Sequence, residues 1–494
     1  MTNLVTSVNE KVEKFLQGRK MLYINGEFVE SKSGKTFDTP NPATGETVAT
    51  VFEADAQDID LAVKAARAAF DQGAWSKMSA AKRSRLMYKL ADLMEENKEA
   101  LAQLETIDNG KPIRETTHAD IPLSIEHMRY YAGWCTKITG QTIPVNGPFL
   151  NYTRHEAVGV VGQIIPWNFP LLMAMWKMGA ALATGCTIVL KPAEQTPLSA
   201  LYLAELIDEA GFPPGVINIV PGFGETAGRA LVDHPNVDKI AFTGSTEVGK
   251  QIMERAAKSL KRITLELGGK SPNIVLPDAD LKRAIPGALN GVMFNQGQVC
   301  SAGSRVFIQK KQFDNVVSDM VSYAKKMKQG AGLHGDTEIG PLVSTEQHNR
   351  VLGYIEKGVN EGAELLTGGE NPFENGYFVS PTIFADVNDS MTIAKEEIFG
   401  PVISAMPYED LDELITRANA TEYGLAAGVW TEDVRKAHYI AEKLRAGTVW
   451  VNCYNAFDAA SPFGGYKQSG LGREMGSYAL NNYTEVKSVW IGMK

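Results

Sequence analysis

Apolar side chains recur every three or four positions along the first quarter of the chain. This spacing predicts four helices, over residues 1–20, 62–70, 80–107 and 119–138. Residues 21–29 lie between the first two helices and predict a β-hairpin whose turn is Asn25-Gly26. The region contains no motif with chemistry of its own, so we expect it to cover a core formed by later residues.

From residue 157 onward, short β-branched runs alternate with helical runs. The β-branched runs predict five strands, at residues 158–165, 187–190, 216–220, 239–242 and 262–267. The runs between them predict helices at residues 168–184, 197–210, 225–233 and 246–258. Alternation at this pace predicts a doubly wound parallel sheet of the α/β class, in which ligands bind at the carboxyl ends of the strands.

A second α/β set follows residue 270. Its strands are predicted at residues 305–309, 377–383, 402–406, 427–430 and 448–452, and its helices at 311–328, 344–361, 411–420 and 432–446. Residues 483–491 alternate like a strand with no obvious partner nearby in the sequence. We predict that this terminal strand pairs with another subunit.

Composition narrows the class of protein. A chain of 494 residues predicts two or three domains. The net charge of −9 argues against a general attraction to nucleic acid or to an anionic membrane, and no apolar run reaches the length of a membrane span. The four cysteines are widely spaced and the seven histidines form no ligand pair, which argues against a disulfide framework and a zinc site. Together with the absence of a signal-peptide core, these features predict a cytoplasmic enzyme without a bound metal.

Polar or glycine-rich residues follow each strand of the first set. In strand order they are Asn168, the pair Lys191 and Glu194, the turn Gly222-Phe223-Gly224, the loop Gly244-Ser245, and Glu266. Asn168 has the residue type of a helix cap, and Pro170 suits the first helical turn. Each feature alone is also typical of an ordinary turn, cap or surface ion pair. Five in succession predict a ligand site at this edge of the sheet.

Residues 244–250 match the first part of a phosphate-binding P-loop, GxxxxGK. The next residue is Gln251, where such a loop needs a Ser or Thr to bind Mg²⁺. We therefore reject a P-loop. Ser245 and the amides of the following helix can still donate hydrogen bonds to an anion.

A lone thiol, Cys300, lies among amides and hydroxyls in the loop of residues 294–305. Gly297 and Gly303 allow the backbone to approach its neighbours closely, as a loop around a reacting atom requires. From these residues alone, two interpretations stay open: a reactive thiol and a buried structural cysteine.

Seven motifs occur along the chain in an order typical of one family. They are Pro166-Trp167-Asn168, Lys191-Pro192-Ala193-Glu194, Phe242-Thr243-Gly244-Ser245, Leu265-Glu266-Leu267-Gly268-Gly269-Lys270, Gly297-Gln298-Val299-Cys300, Glu396-Glu397-Ile398-Phe399-Gly400-Pro401 and Pro462-Phe463-Gly464-Gly465. In combination they resemble the NAD(P)-dependent aldehyde dehydrogenase superfamily over nearly the whole chain. The resemblance implies a Rossmann-like NAD-binding domain (1–136 and 157–266), a second α/β catalytic domain (267–474) and a small β oligomerisation arm (137–156 and 475–494).

The resemblance also implies a reaction, the oxidation of an aldehyde to a carboxylic acid with reduction of NAD. Cys300 would attack the aldehyde as a thiolate, and because a free thiol has a pKa of about 8.5, the site is expected to favour the anion. The Asn168 side-chain amide and the Cys300 backbone N–H would hold the oxyanion. Glu266 would be the general base that hydrolyses the resulting thioester. Lys177 and Glu474 match positions associated with proton relay.

Two further sets of positions match the cofactor site and the substrate site. The resemblance implies cofactor contacts for Ile165, Pro166, Trp167, Lys191, Glu194, Gly224, Phe242, Gly244, Ser245, Glu397 and Phe399. It implies an aldehyde tunnel lined by Phe169, Met173, Trp176, Phe294, Val299, Ser301, Phe457 and Phe463. A carboxylate at Glu194 would bind a free ribose 2′-hydroxyl and repel a 2′-phosphate, which favours NAD over NADP. Mostly aromatic walls favour apolar or aromatic aldehydes and a broad specificity.

Three alternatives stay open at this stage. An aromatic box also binds quaternary ammonium, so betaine aldehyde or a related amino-aldehyde is a second substrate class. A cysteine esterase would use Cys300 without a redox step. A non-catalytic binding module would keep only the fold. We expect a small aldehyde as the partner, a homo-oligomer (dimer or tetramer), and neither nucleic acid nor membrane as a partner.

Overall fold

The computed structural model describes residues 8–493, so the start of the first predicted helix (residues 1–7) and residue 494 of the predicted β arm lie outside the described residues. The described residues form twenty strands: β1 (Leu22–Ile24), β2 (Glu27–Val29), β3 (Thr36–Pro40), β4 (Thr47–Phe52), β5 (Thr142–Ile143), β6 (Phe149–Ala157), β7 (Val160–Ile164), β8 (Thr187–Lys191), β9 (Ile217–Ile219), β10 (Lys239–Thr243), β11 (Arg262–Glu266), β12 (Pro272–Val275), β13 (Arg305–Gln309), β14 (Glu364–Thr367), β15 (Thr382–Ala385), β16 (Val402–Tyr408), β17 (Ala426–Trp430), β18 (Thr448–Val451), β19 (Gly470–Leu471) and β20 (Thr484–Gly492).

The same residues form sixteen α-helices: α1 (Glu10–Leu16), α2 (Ala56–Asp71), α3 (Ala80–Glu96), α4 (Lys98–Asn109), α5 (Ile113–Glu115), α6 (Ile121–Trp134), α7 (Pro170–Thr184), α8 (Leu198–Ala210), α9 (Arg229–Asp233), α10 (Thr246–Ala257), α11 (Leu281–Met293), α12 (Phe313–Ala324), α13 (Thr345–Asn360), α14 (Thr392–Lys395), α15 (Leu411–Asn419) and α16 (Val434–Lys443). Single π-helical turns cover Thr116–Asp120 and Gly224–Gly228, and short 3₁₀ turns cover Phe294–Gly297, Lys310–Gln312, Lys467–Ser469 and Ser477–Tyr483. Between residues 8 and 493, no helix is both long and apolar enough to cross a membrane.

The first large sheet has eight strands in the order β19-β11-β10-β7-β8-β9-β1-β2. Strands β7 to β11 pair in parallel, while β1 and β19 run antiparallel at the two sides. Alternate residues of β7 enter different cores: Val161 packs with the helices α3, α6, α7 and α8, and Val160 packs with α2, α9 and α10. Such two-sided burial explains why β7 is mostly apolar, with Gln163 as its polar exception. The predicted parallel sheet and the α/β class are confirmed.

The second large sheet has seven strands in the order β14-β15-β16-β13-β12-β17-β18, and all pairs except β14 with β15 are parallel. Strands β12 and β14 were not predicted from the sequence. The strand predicted at residues 377–383 is wrong in position, because β15 begins only at Thr382. Pro381 precedes it and has no N–H for a ladder hydrogen bond, so the pairing starts after the proline.

The single helix predicted over residues 80–107 is also wrong, because α3 and α4 are separate helices that meet at Asn97. The Asn97 backbone leaves the helical region at φ −110° and ψ 13°. Its side-chain oxygen accepts hydrogen bonds from Lys11 Nζ at 2.7 Å and from the Tyr202 hydroxyl at 3.0 Å. These long-range contacts stabilise a break that the helical period of the sequence does not show.

A third, three-stranded sheet has the order β20-β6-β5. Strand β20 pairs antiparallel with β6 along its whole length, from Thr484 opposite Ala157 to Gly492 opposite Phe149. Because β20 is the outermost strand of this sheet among the described residues, the prediction that it pairs with another subunit stays a prediction. Its partner within the chain is β6. The sequence did not show this partner because β6 lies more than three hundred positions earlier and is half polar.

Candidate active site

A cavity of about 380 Å³ is lined by residues from segments that adjoin strands of both large sheets. The segments that follow β7, β10 and β11 form one wall, which is the strand edge predicted to bind a ligand. The loop before β13 and the segment before β16 form the opposite wall. The cavity therefore combines residues that are far apart in the sequence.

Cys300 lies in that cavity, just after a strained turn. Asn295 and Gln296 have left-handed backbone angles, with φ of 47° and 54°. Three hydrogen bonds hold the loop: Asn295 N–H donates to Glu115 Oε2 at 3.0 Å, Gln296 Nε2 donates to the Pro341 carbonyl at 2.9 Å, and Val343 N–H donates to Gln298 Oε1 at 3.0 Å. A strained loop persists only where its surroundings fix it, as these contacts do.

The backbone at position 297 of this loop requires a glycine. Its φ is +73°, and a Cβ built on it would lie 2.0 Å from the carbonyl oxygen of Gly400. The loop and the segment before β16 therefore touch backbone to backbone, and only glycine fits at that point.

Burial, together with the charges of Glu397 and Glu266, raises the pKa of the Cys300 thiol to about 12. Backbone N–H groups of Ser301 and of Cys300 itself act in the opposite direction. The sequence-based expectation that the site favours the thiolate does not hold for the protein residues alone. A cation next to the sulfur would be needed to stabilise the anion.

Asn168 lines the same cavity, in the segment that follows β7, and is buried. Its Nδ2 donates to the carbonyl of Gln298, two residues before Cys300, at 2.8 Å. The expectation that Asn168 caps the next helix is wrong: α7 begins at Pro170, its N-cap is Phe169, and no side chain caps it. The amide of Asn168 contacts the loop of Cys300 instead of the helix.

Glu266 ends β11 and lines the cavity. Its Oε2 is buried and has no hydrogen-bond partner among the described residues. Burial raises the pKa of Glu266 well above its usual value, and the charge of Glu474 raises it further, while Lys177 and Arg473 lower it. Lys177 Nζ donates to the Glu474 carboxylate and, at 2.7 Å, to Thr243 Oγ1. Lys177 and Glu474 do not line the cavity themselves, but Thr243 does.

The predicted cofactor positions divide into two groups. Six of them line the cavity: Pro166, Trp167, Gly244, Ser245, Glu397 and Phe399. Five do not line it: Ile165, Lys191, Glu194, Gly224 and Phe242. The rings of Trp167 and Phe399 meet edge to face at 5.2 Å, and Phe399 has a left-handed φ of 61°.

Charged and helix-capping groups occur among the predicted cofactor positions. Lys191 Nζ donates to Glu194 Oε2 at 2.9 Å, so the two residues form an ion pair just beyond β8. Ser245 caps α10 and accepts the N–H of Val248 at 3.3 Å, which leaves the first amides of that helix at the cavity edge. Glu397 Oε1 accepts the N–H of Gly269 at 3.1 Å, and burial raises the pKa of Glu397 to about 7.

All eight predicted substrate positions line the cavity: Phe169, Met173, Trp176, Phe294, Val299, Ser301, Phe457 and Phe463. The rings of Trp176, Phe457 and Phe463 contact one another, with centroid distances of 5.3 to 6.1 Å. Phe169 stacks on Phe294 at 6.1 Å. Aromatic side chains thus form part of the wall of the cavity that also contains Cys300.

Sequence reasoning missed several residues of the cavity wall and of its support. The missed wall residues include Asp120, Leu123, Leu172, Gln347, Arg350 and Asn455. Lys111 was also missed, although its Nζ donates to the Asn168 carbonyl at 3.0 Å. Its only signal in the sequence is its place after Asn109-Gly110, a pair that indicates the end of a helix and nothing more.

The fold and this site define an α/β enzyme in which a thiol, an amide and a carboxylate lie around an aromatic tunnel. Residues 28–489 match the model of the aldehyde dehydrogenase family. A Bacillus subtilis (strain 168) protein named as a putative aldehyde dehydrogenase, DhaS, is 77% identical over 494 residues and is covered completely, as is this chain. The human protein "Aldehyde dehydrogenase, mitochondrial" is 54% identical over 99% of this chain and 95% of its own length.

Solved structures agree with the sequence relatives. The structure described as the NAD⁺ complex of aldehyde dehydrogenase from Bacillus cereus is 61% identical, covers 99% of both chains and superposes with a TM-score of 0.98. The chain belongs to the aldehyde dehydrogenase family. The predicted enzyme class, an aldehyde-oxidising oxidoreductase, is confirmed.

Proposed function

We propose that this enzyme oxidises its aldehyde with NAD through a thiohemiacetal and a thioester on Cys300. The observation that supports this most strongly is that Cys300, Asn168 and Glu266 line one cavity at the end of an aromatic tunnel. A thiol nucleophile, an amide donor and a carboxylate base are the groups that this chemistry needs.

The nucleophilic step forms a bond between the Cys300 sulfur and the carbonyl carbon. The negative charge then moves to the former carbonyl oxygen, where the Asn168 Nδ2 and the Cys300 N–H can donate hydrogen bonds. A bound oxidised NAD would supply a positive charge and a hydride acceptor, and loss of a hydride from the carbon bonded to Cys300 would leave a thioester.

Glu266 is the proposed base for the hydrolytic step. Its carboxylate takes a proton from a water molecule, the water oxygen attacks the thioester carbon, and the carbon–sulfur bond breaks to release the carboxylic acid. The unpartnered Oε2 of Glu266 is free to accept that proton, and the raised pKa of Glu266 makes it a stronger base than an exposed carboxylate. Lys177 and Glu474, paired behind Glu266, are proposed to carry the proton onward.

The residues present fit a dinucleotide. The amides at the start of α10 suit the pyrophosphate, Lys191 and Glu194 suit the adenosine ribose hydroxyls, and Glu397 suits the other ribose. The Bacillus cereus relative was solved with NAD⁺. A carboxylate at Glu194 supports NAD over NADP.

For the substrate we propose a broad range of apolar and aromatic aldehydes, because rings form most of the tunnel. The rings of Trp176, Phe457 and Phe463 also support betaine aldehyde or an amino-aldehyde as the second candidate, because aromatic rings bind quaternary ammonium. A cysteine esterase without a redox step is the candidate from another class.

A steady-state panel of acetaldehyde, benzaldehyde, retinal and betaine aldehyde, each with NAD and with NADP, tests these proposals together. NADH formation with the neutral aldehydes is expected. Turnover of betaine aldehyde and of no neutral aldehyde would contradict the proposed substrate class and favour the second candidate. Cleavage of nitrophenyl acetate without any aldehyde-dependent NADH formation would favour the esterase.

We also propose the division into domains that the sequence suggested. Residues 1–136 and 157–266 would bind NAD, residues 267–474 would carry the thiol, and residues 137–156 with 475–494 would form an oligomerisation arm.

The arm exposes apolar side chains, including Phe149 at 48%, Trp490 at 57% and Val486 at 61%. Exposed apolar side chains on a sheet support a homo-oligomer, dimer or tetramer, which light scattering after gel filtration would test. The four free cysteines support a reducing compartment such as the cytoplasm.

A further inference from the structure

A buried cluster of charged side chains lies behind the cavity wall, on the side of the helices α4 and α5. Lys111 is fully buried, and its Nζ donates to the Asp120 carboxylate and, at 3.0 Å, to the main-chain carbonyl of Asn168. The same Nζ lies 3.7 Å from the ring centroid of Phe169. A buried ammonium thus touches the backbone of the residue whose side chain is proposed to bind the oxyanion.

A second donor reaches the same carbonyl from the opposite wall. Asn295 Nδ2 donates to the Asn168 carbonyl at 2.9 Å, and the Asn295 N–H donates to Glu115 Oε2 at 3.0 Å. Asn295 lies in the strained turn that leads to Cys300. The Asn168 carbonyl therefore joins the segment after β7 to the loop of the thiol.

Carboxyl groups around the ammonium make this cluster rigid. Glu105 Oε2 accepts the N–H of Leu171 at 3.2 Å, so it holds the next residues of the same segment. Burial raises the pKa values of Glu105 and Glu115 to about 8. The charge of Lys111 acts against this effect of burial at both carboxyls.

We infer that Lys111 and Asn295 are positioning residues for the proposed reaction, because together they fix the Asn168 amide relative to Cys300. The inference rests on the proposed role of Asn168. The Asn168 side chain donates one hydrogen bond within the described part of the chain, to the Gln298 carbonyl, so the place of its amide depends on where its main chain is held. A displacement of about 1 Å at a reacting centre can cost about a hundredfold in rate.

A double-mutant cycle tests the coupling. Removing Lys111 alone would leave Asp120 buried and uncompensated, so the first variant is Lys111→Met combined with Asp120→Asn. The second variant is Asn295→Gly, which removes the amide donor and tolerates the left-handed angle of that position. Each is made in the native protein and in an Asn168→Ala background, and the rate of the NADH burst is measured with NAD and benzaldehyde.

In the native background both variants are expected to lower the burst rate roughly tenfold to a hundredfold. The KM for the aldehyde and the Kd for NAD should stay within about threefold, because the cluster holds an oxyanion donor and not the ground-state ligands. In the Asn168→Ala background the same substitutions should cause no further loss, because the amide they position is gone.

The control is Lys20→Met. Lys20 is another buried lysine that donates to a backbone carbonyl, that of Gln17 at 2.9 Å, and it lies outside the cavity wall. This variant should keep the native burst rate.

Losses of equal size in both backgrounds, or no loss in the native background, would overturn the inference. If Lys111→Met with Asp120→Asn does not fold, Asn295→Gly decides by the same comparison. A native burst rate in Asn168→Ala alone would instead refute the proposed oxyanion role, and with it the inference built upon it.

Discussion

Gly297 offers a sharp test of how the Cys300 loop is built. In Gly297→Ala, the new Cβ would lie 2.0 Å from the Gly400 oxygen, 2.3 Å from the Gly400 carbonyl carbon and 2.8 Å from the Pro401 nitrogen. All three are backbone atoms, so no side-chain rotation can relieve the contact. The φ of +73° adds a second cost, since an L-residue in this region loses about 1–2 kcal/mol.

Overpacking in a rigid site costs about 1–3 kcal/mol, so we expect a total of roughly 2–5 kcal/mol for Gly297→Ala. Two other glycines separate the contributions. Gly18 has a φ of +69°, and a Cβ added to it would meet nothing within 4 Å, so Gly18→Ala should show only the backbone cost. Gly353 lies in α13 with open space around it, so Gly353→Ala should stabilise the protein by about 0.5–1 kcal/mol.

The assay is the apparent Tm at one fixed scan rate, together with the rate of the NADH burst. The expected order of Tm is Gly297→Ala lowest, then Gly18→Ala, the native protein and Gly353→Ala. Only Gly297→Ala should also reduce the burst rate, because it moves the loop that carries Cys300. A Gly297→Ala protein with the Tm of Gly18→Ala and a native burst would refute the reasoning.

Four further predictions concern the chemistry of the site. Cys300→Ala should abolish turnover yet leave the Kd for NAD, measured by calorimetry, largely unchanged; turnover in that variant would exclude the thioester mechanism. Glu266→Gln should lower steady-state kcat about 10²- to 10⁴-fold while an NADH burst persists in stopped flow, and loss of the burst would contradict a role in hydrolysis. Glu194→Gln leaves Lys191 without its counter-charge, so the kcat/KM ratio of NADP to NAD should rise roughly tenfold, equivalent to about 1.4 kcal/mol; an unchanged ratio would count against Glu194 as the discriminating residue. Without cofactor, the rate of alkylation of Cys300 by iodoacetamide should increase about tenfold per pH unit from about pH 7 to 10. The reason is that the reactive thiolate is the minor form below a pKa of about 12. A rate that reaches a plateau near pH 8 would show an ordinary thiol.

The electrostatics of the site also predict how oxidised NAD changes the alkylation of Cys300. Burial and the charges of Glu397 and Glu266 all raise the pKa of Cys300, so the thiolate is expected to be the minor form without cofactor. A bound nicotinamide cation is proposed to reverse this balance. The rate of alkylation should therefore rise when oxidised NAD is added at constant pH, provided that the reagent still reaches the sulfur.

The sequence by itself determined the elements whose signals are local. The alternation of strands and helices after residue 157 predicted β7 to β11 within a few residues, because apolar period and turn residues act over short distances. The motif order also identified Cys300, Glu266 and Asn168 as candidates, and all three line one cavity.

Only the tertiary structure decided the features that depend on contacts between distant segments. It paired β20 with β6, it divided α3 from α4 at Asn97, and it placed Lys111 against the carbonyl of Asn168. It also set the direction of the Cys300 pKa, because desolvation depends on what surrounds a group and not on its neighbours in the sequence. Hydrophobic periodicity and composition are properties of one segment. Packing and electrostatics depend on which segments of the folded chain come into contact.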